Sequence, residues 1–500
     1  MANALDLNPE KLYTYTVLGI NTISAYVLYL FWGSMKKAKT PSFVLTLPLV
    51  TKGRDVAVMR KRFEAGKRLY NEVLAEGLKR LKFMRNDPRW AALRTVEDAD
   101  AKRAGYRLLR QEYQFSEYEF SSFATSLKNR LWRDHLGAHE PQLLTKRVFA
   151  ALEQYSFKKR GKPRFKGRKR PLHSLEGKSS ASSIRYQPET GCVRWAGLIM
   201  PVLIPIEGRD EYLDEALQKP VKFARVVWKK IGSKTRYFVQ LIVEGTPPNN
   251  RKTTPGIGGL DIGPSTVASF SDASATFRKF CPGVVPCAAT KRRLQRQADR
   301  IIRQSNPDCF NTSGQWIKGK RAEVISNRLQ KIRDKIANTE RKLQARRKSE
   351  HGQLVNQLLT EANVWQLEKL SYKAYQKMYG KSVSNRAPGA FVQLLKRKAE
   401  SAGGKVVELN TWKLKMSQYD HCTETYTKKP LSLRWHALGD GSGEIQRDVY
   451  SALLACCTDG KIHSTSSIKQ RLAAHEHVLR RTGLWRNQSA SAEAKVSAPA

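Results

Sequence analysis

Asp261, Glu368 and Asp448 are three carboxylates set in local sequences that would each present an acid at the end of a regular element. GIGGLDIGPSTVASFSD, from Gly256 to Asp272, reads as a hydrophobic strand ending at Asp261, a tight Gly-Pro turn and a second alternating strand, so the acid projects at the start of a hairpin. NVWQLEKLSY (Asn363 to Tyr372) puts Glu368 at the end of a short apolar strand, and EIQRDVYSALLA (Glu444 to Ala455) puts Asp448 in the first turn of a helix, beside Arg447. Oxygen ligands brought together from distant parts of a chain are what hard divalent cations such as Mg2+ or Mn2+ require. Two such ions about 3.5 to 4 Å apart activate a water and stabilise the leaving oxygen of an in-line displacement, and their combined charge calls for several carboxylates. The three acids are therefore candidate metal ligands and catalytic residues.

The net charge indicates what that chemistry would act on. Ninety Lys plus Arg against 44 Asp plus Glu leave a formal charge of +46, spread from Lys36 to Arg486, and a surface this basic seeks a polyanion. The densest run, KKRGKPRFKGRKR, packs nine Lys or Arg into thirteen residues with two glycines, a proline and Phe165 between them. Such a run cannot enter a core and would act as a flexible phosphate clamp, which makes Lys158, Lys159, Arg160, Lys162, Arg164, Lys166, Arg168, Lys169 and Arg170 candidate nucleic-acid contacts. LDIGPST also reads as the phosphate hairpin of sugar-kinase and actin-like ATPases, but that reading requires further Gly-rich loops. Gly403, Gly404, Gly439, Gly441 and Gly443 do not compose one, and the charge is wrong for a small-molecule kinase. Seven cysteines, two of them adjacent at Cys456 and Cys457, show no disulfide framework and point to a reducing compartment, the bacterial cytoplasm or nucleoid.

Several distinct textures must position these residues. Residues 1–34 contain an apolar stretch, Tyr13 to Gly33, followed by Lys36, Lys37 and Lys39; Met35 then opens a basic lead into an alternating strand. We read 1–34 as a start-site artefact or extension with a possible apolar helix, and expect no membrane partner unless it is a real anchor. Residues 35–55 and 181–250 carry short Val, Ile, Trp and Tyr runs of a β domain. Residues 56–180 form a helical domain that ends in the basic clamp; Met59, Phe63, Tyr70, Leu74, Leu78 and Leu81 sit at helical spacing. A polar, Pro-rich linker from Thr246 to Gly256 leads to the segments with the acids, 255–411 and 444–460. Between the first two acids a charged helix is expected over Arg321 to Lys348, with Ile325, Leu329, Ile332, Ile336 and Leu343 on one face. Residues 412–443 form an insert, and 461–500 a basic, then disordered tail.

The chain resembles the transposon-encoded TnpB nucleases and their relatives, the type V CRISPR effectors, from about Met35 to Cys457. The resemblance rests on SFVLTLPL, LYNEVL, GKPRFKG, GGLDIGPST, QLEKLS and the run KKPLSLRWH leading to IQRDVYSALLA, all in one order. It implies a multi-domain α/β architecture: an RNase H-like (RuvC) nuclease domain, a β-barrel wedge domain and a helical recognition domain. It further implies an RNA-guided DNA endonuclease that takes a guide RNA and target DNA as partners and cuts with Mg2+ or Mn2+ at Asp261, Glu368 and Asp448. A protein using the same scaffold for RNA-guided DNA binding without efficient cleavage is the alternative.

One departure stands before the third acid, where the family carries a zinc ribbon with two pairs of closely spaced cysteines. Here those positions are Asp420 and Cys422, then Leu438 and Asp440, so one cysteine of the four remains. Cys422 and His436 are the candidate Zn2+ ligands, but structural zinc favours thiolates and imidazoles at fixed spacing, and the ribbon is expected to be degenerate or metal-free.

Overall fold

The computed structural model describes residues 40–487 except 168, 169, 182, 207, 249–252, 321, 323 and 431. The apolar stretch at residues 13–33, Arg168 and Lys169 of the clamp, and the chain after residue 487 lie outside the described residues. Among those described, no helix is long and apolar enough to cross a membrane.

Strand β1 (Ser42–Pro48) leads into α1 (Gly53–Asn86), whose first turn is held by Asp55 accepting from the Lys52 amide at 2.8 Å. Met59, Phe63, Tyr70, Leu74 and Leu81 are buried on one face of α1, as their helical spacing requires. Four helices follow, α2 (Pro88–Thr95), α3 (Ala99–Glu112), α4 (Glu117–Leu131) and α5 (His139–Ser156). At Gly77 an added Cβ would lie 2.3 Å from Leu152 Cδ1, so this glycine lets α1 and α5 approach closely.

The β elements are β2 (Ser174–Glu176), β3 (Ile184–Gln187), β4 (Cys192–Trp195), β5 (Leu198–Pro201), the short α6 (Glu211–Leu217), β6 (Val221–Ile231) and β7 (Lys234–Glu244). They form a four-stranded antiparallel sheet, β1-β7-β6-β2, and a three-stranded one, β3-β4-β5. The N-terminal strand completes the sheet as expected, but the expected barrel does not close among the described residues. The two sheets are bridged at one corner by Leu49–Val202, and β3 packs near β6, but β2 and β3 have no pairing between them. β2 lies within the stretch assigned to the helical domain, and one continuous core from Leu45 to Val243 joins helices and sheets.

The second half is built on a five-stranded sheet ordered β10-β9-β8-β11-β12: β8 (Ile257–Ile262), β9 (Thr266–Phe270), β10 (Ala275–Lys279), β11 (Val364–Glu368) and β12 (Lys405–Leu409). The first three strands are antiparallel neighbours, while β8, β11 and β12 run parallel. Helices α7 (Val284–Ser305) and α8 (Asn327–Glu361) lie between β10 and β11. The charged helix expected over 321–348 therefore starts later, where Ser326 caps the Leu329 amide, and runs thirteen residues further because Val355, Leu358 and Leu359 continue its buried face. Ile325 falls before it and is exposed. Helices α9 (Tyr372–Arg386) and α10 (Pro388–Ser401) separate β11 from β12.

Leu260, Ile262, Trp365 and Leu367 face one core with Val355, Leu358, Phe391 and Leu395 of α8 and α10. The opposite face packs on α12 (Arg447–Cys456) and α13 (Thr465–Arg481). Between β12 and α12 come the short α11 (Thr411–Leu414), the hairpin β13 (Tyr419–Asp420) and β14 (Thr425–Tyr426), then β15 (Trp435–Ala437) and β16 (Glu444–Gln446). The stretch read as the start of a tail is ordered instead: Ile468, Leu472 and Leu479 of α13 are buried, and β17 (Trp485–Arg486) pairs with β16.

Candidate active site

Leu367 of β11 pairs with Leu260 of β8, so Glu368 and Asp261, each one residue on, end up abreast at the C-terminal ends of two parallel strands. Side chains alternate along a strand, so Asp261 shares a face with Gly259, and Glu368 with Gln366. That face meets α12. A Cβ on Gly259 would lie 1.9 Å from the Ala452 carbonyl oxygen and 2.7 Å from the Cys456 amide, so the helix backbone sits directly on the glycine. With its amide group turned to meet acceptors, Gln366 donates to the carbonyls of Ala455 at 2.8 Å and Thr458 at 3.2 Å and so ties down the C-terminal end of α12. The Gln446 side chain caps the other end by accepting from the Val449 amide at 2.8 Å. Asp448 thereby sits in the first turn of α12, where the helix dipole favours an anion, one turn before the Gly259 contact.

The three predicted acids come together. Burial raises the Asp261 carboxyl well above its ordinary range, and the charges of Asp448 and Glu368 raise it further, with Arg447 opposing them. Burial pushes Glu368 up to about 7. Arg447 stands 3.8 Å from the Asp448 carboxylate and donates to the Pro430 carbonyl at 3.3 Å. Asp261 and Glu368 are thus under-compensated by the protein's own cations, the state of a donor set built for an added one. Three carboxylates with no thiolate or imidazole among them fit a hard divalent ion such as Mg2+ or Mn2+.

Helix α9 roofs the site. Tyr375 donates from its hydroxyl to the Ile262 carbonyl at 3.3 Å, and its phenol is held protonated by burial and by the fields of Asp261, Glu368 and Asp448. Ser382 donates to the Pro264 carbonyl at 2.5 Å, fixing α9 to the Gly-Pro turn. Two features escaped sequence reasoning. One is Tyr375. The other is Trp412 on α11, 87% exposed, whose amide donates to the Asn410 side chain and whose neighbour Thr411 donates to the Lys369 carbonyl just past Glu368. An aromatic face left open beside the acids suits base stacking. The signal for it was present as an isolated Trp between Asn410 and Lys413, but nothing local told exposed from buried.

The insert gathers polar side chains where the family's ribbon carries cysteines. Asp420 accepts from His436 Nε2 at 2.9 Å and from the amides of Cys422 and Thr423 at 2.8 and 3.2 Å. His436 is stacked 4.1 Å from the Tyr450 ring, and Lys429 donates to its Nδ1. Burial holds His436 below its usual range, so it is neutral and its Nε2 proton is committed to Asp420. The ligand atoms that lie within 4.8 Å of one another belong to Asp420, His421 and Cys422, not to the expected pair Cys422 and His436. Burial pushes the Cys422 thiol up to about 11, against the thiolate that zinc requires.

The clamp is an exposed loop. Lys158, Lys159, Arg160, Lys162, Arg164 and Arg170 are exposed, whereas Lys166 is half-buried over the Tyr70 ring, its backbone clasped by Asn71 at 2.7 and 2.9 Å.

The sequence matches no protein-family model and no curated protein. Among solved structures it is similar to the Cas12f1-sgRNA-target DNA complex, at TM-score 0.42 and 11% identity over 83% of this chain and 98% of that one. It is also similar to the CRISPR-Cas12f ternary complex, at TM-score 0.28 and 10% identity over 82% of each chain.

Proposed function

We propose that the chain is an RNA-guided DNA endonuclease of the TnpB and type V CRISPR effector family, with an RNase H-like (RuvC) nuclease domain. The observation that carries this reading is the convergence of Asp261 and Glu368, abreast on β8 and β11, with Asp448 of α12, the charges of Asp448 and Glu368 both acting on the buried Asp261 carboxyl. The sheet supports it: three antiparallel strands continued by two parallel ones, with the first acid on the central strand, is the RNase H-like order. The motif series and the charge of +46 support nucleic acid as the partner, a guide RNA and a target DNA.

Asp261, Glu368 and Asp448 would hold Mg2+ or Mn2+, which supplies Lewis-acid polarisation of a phosphodiester and activation of water when bound. The chain's own residues do the rest. Arg447 restrains Asp448, Gly259 sets the α12-to-β8 separation, and Tyr375 ties α9 to the end of β8 next to Asp261. Trp412 and the neighbouring Lys369 and Lys413 would seat the strand by stacking and charge. Asp261→Asn and Glu368→Gln should each abolish metal-dependent cleavage while nucleic-acid affinity stays within about twofold, because acids add nothing to phosphate attraction. Cleavage persisting in both variants would sink the assignment.

A further inference from the structure

A cavity of about 480 Å³ opens where the last turn of α1, α2, the end of α5 and the start of the basic loop meet. Its lining is Arg85, Trp90, Arg94, Tyr155, Lys158 and Arg160, with Ser156 and Gly161. Four cations around one cavity repel one another, and folding would favour carboxylates among them. None is there. The nearby acids are committed elsewhere: Asp87 holds Arg89 at 2.8 Å and accepts from the Tyr113 hydroxyl at 3.0 Å, and Glu153 holds Arg110 at 3.2 Å. Among the described residues, no ion pair engages Arg85, Arg94, Lys158 or Arg160. The cavity is thus a preformed anion site within the 300 to 1,000 Å³ typical of small-ligand pockets, about the size for one nucleotide.

Two further observations narrow the anion. The walls between the cations are aromatic: Trp90 is braced edge-on by Tyr106 at 4.8 Å, and the Arg85 guanidinium lies 4.8 Å over the Tyr155 ring. The loop closing the cavity is held in place, because Lys158 adopts a left-handed conformation at φ 54° and the amides of Lys159 and Arg160 both donate to the Gln154 carbonyl. A free phosphate satisfies the cations but not the aromatic walls; a planar metabolite without phosphate does the reverse.

We propose that this cavity takes a single unstacked nucleotide from an unpaired strand. Its phosphate lies among Arg94, Lys158 and Arg160, and its base lies against Trp90 and Tyr155. The site rests on the proposed nucleic-acid function but is separate from the acids. It pins one nucleotide at the root of the basic loop and so sets the register of the strand that the loop then follows.

The test uses full-length protein freed of nucleic acid, with labelled single-stranded decamers of RNA and of DNA. Ultraviolet crosslinking and peptide mapping should place a nucleotide adduct on Trp90 or Tyr155. An adduct from RNA alone identifies the guide as the source, and one from DNA alone identifies the target. Arg94→Gln, at an exposed position, should lower the logarithmic salt slope of binding by about 0.7, one phosphate contact on a single strand. Trp90→Leu keeps an apolar side chain but removes the aromatic face, and should weaken binding about five- to tenfold. Adducts mapping elsewhere, together with wild-type affinity and slope in both variants, would overturn the site. The two readings fail separately: decamer binding here survives if no guide RNA exists, and guided cleavage survives if the cavity proves empty of nucleotide.

Discussion

Gly259→Ala tests whether the packing of α12 on β8 sets the geometry of the acids. The new Cβ would fall 1.9 Å from a backbone carbonyl oxygen, and side-chain carbons do not approach closer than 3.0 Å, so α12 must lift by at least 1.1 Å. No side chain can yield in its place, because the second contact, 2.7 Å, is also backbone. Asp448 rides on that helix and Asp261 stays on the strand, so the displacement passes directly into their separation. Overpacking of this kind costs about 1 to 3 kcal/mol, and a misplacement near 1 Å costs about a hundredfold in rate. The variant should melt several degrees lower, cleave about a hundredfold more slowly, and bind nucleic acid as before. Gly352→Ala is the control, since nothing lies within 4 Å of its new Cβ in the interior of α8; it should be neutral or stabilise by up to about 1 kcal/mol. A Gly259→Ala protein with wild-type melting and cleavage refutes the argument that this contact sets the site.

The uncompensated acids predict linkage to metal. Mg2+ or Mn2+ at about a hundred times its dissociation constant should stabilise the wild-type chain by about 2.7 kcal/mol, and Asp261→Asn with Glu368→Gln should remove that shift; an identical shift in the variant places the cation elsewhere. His351 is buried against Phe280 and Phe391, shares a 2.9 Å hydrogen bond with the Arg386 carbonyl, and is lowered by burial to about 4. Its unfolded value is about 6.5, so the unfolded chain binds the extra proton between the two. The stability it contributes is present above pH 6.5 and lost as pH falls toward 4, about 2 kcal/mol after allowance for screening. His351→Gln, which keeps a donor but does not titrate, should flatten denaturant midpoints over that window; an unchanged slope contradicts the assignment. In the insert, hydrogen bonds to Asp420 stand where a ribbon would use metal, so the purified protein should hold well under one equivalent of zinc, and EDTA added in buffer free of Mg2+ and Mn2+ should not change its melting. Asp420→Ala should cost about 2 to 3 kcal/mol by stranding buried donors, and stoichiometric zinc by elemental analysis would reverse this reading.

What the sequence made legible follows the range of the interactions involved. Asp261 and Glu368 were visible because apolar strands run up to them, and Asp448 because an apolar helix follows it, but nothing local showed that Trp365 would cover Gly258 and α12 would cover Gly259. The α1 face was readable from its period. The extent of α8 was not, because its charged first half dominates the pattern while the buried residues that prolong it, Val355 to Leu359, look like a separate apolar run. The order in α13 was hidden likewise by its Lys, Arg and His residues. β2, three residues long, exists only because β6 is there to pair with it. The Asp420 to His436 bond spans sixteen residues, and the cavity at Trp90 draws on four elements. No local pattern encodes either.

Base pairing with a bound RNA, rather than the protein surface, should choose where the acids act. The direct measurement is cleavage of two DNA targets by protein recovered with RNA from its native flanking DNA and then reassembled with a recoded guide. Cutting should move to the target matching the recoded guide, require Mg2+ or Mn2+, and vanish after ribonuclease treatment and in Asp261→Asn. Cleavage that ignores the guide and survives ribonuclease would contradict the account and leave a structure-selective nuclease in its place.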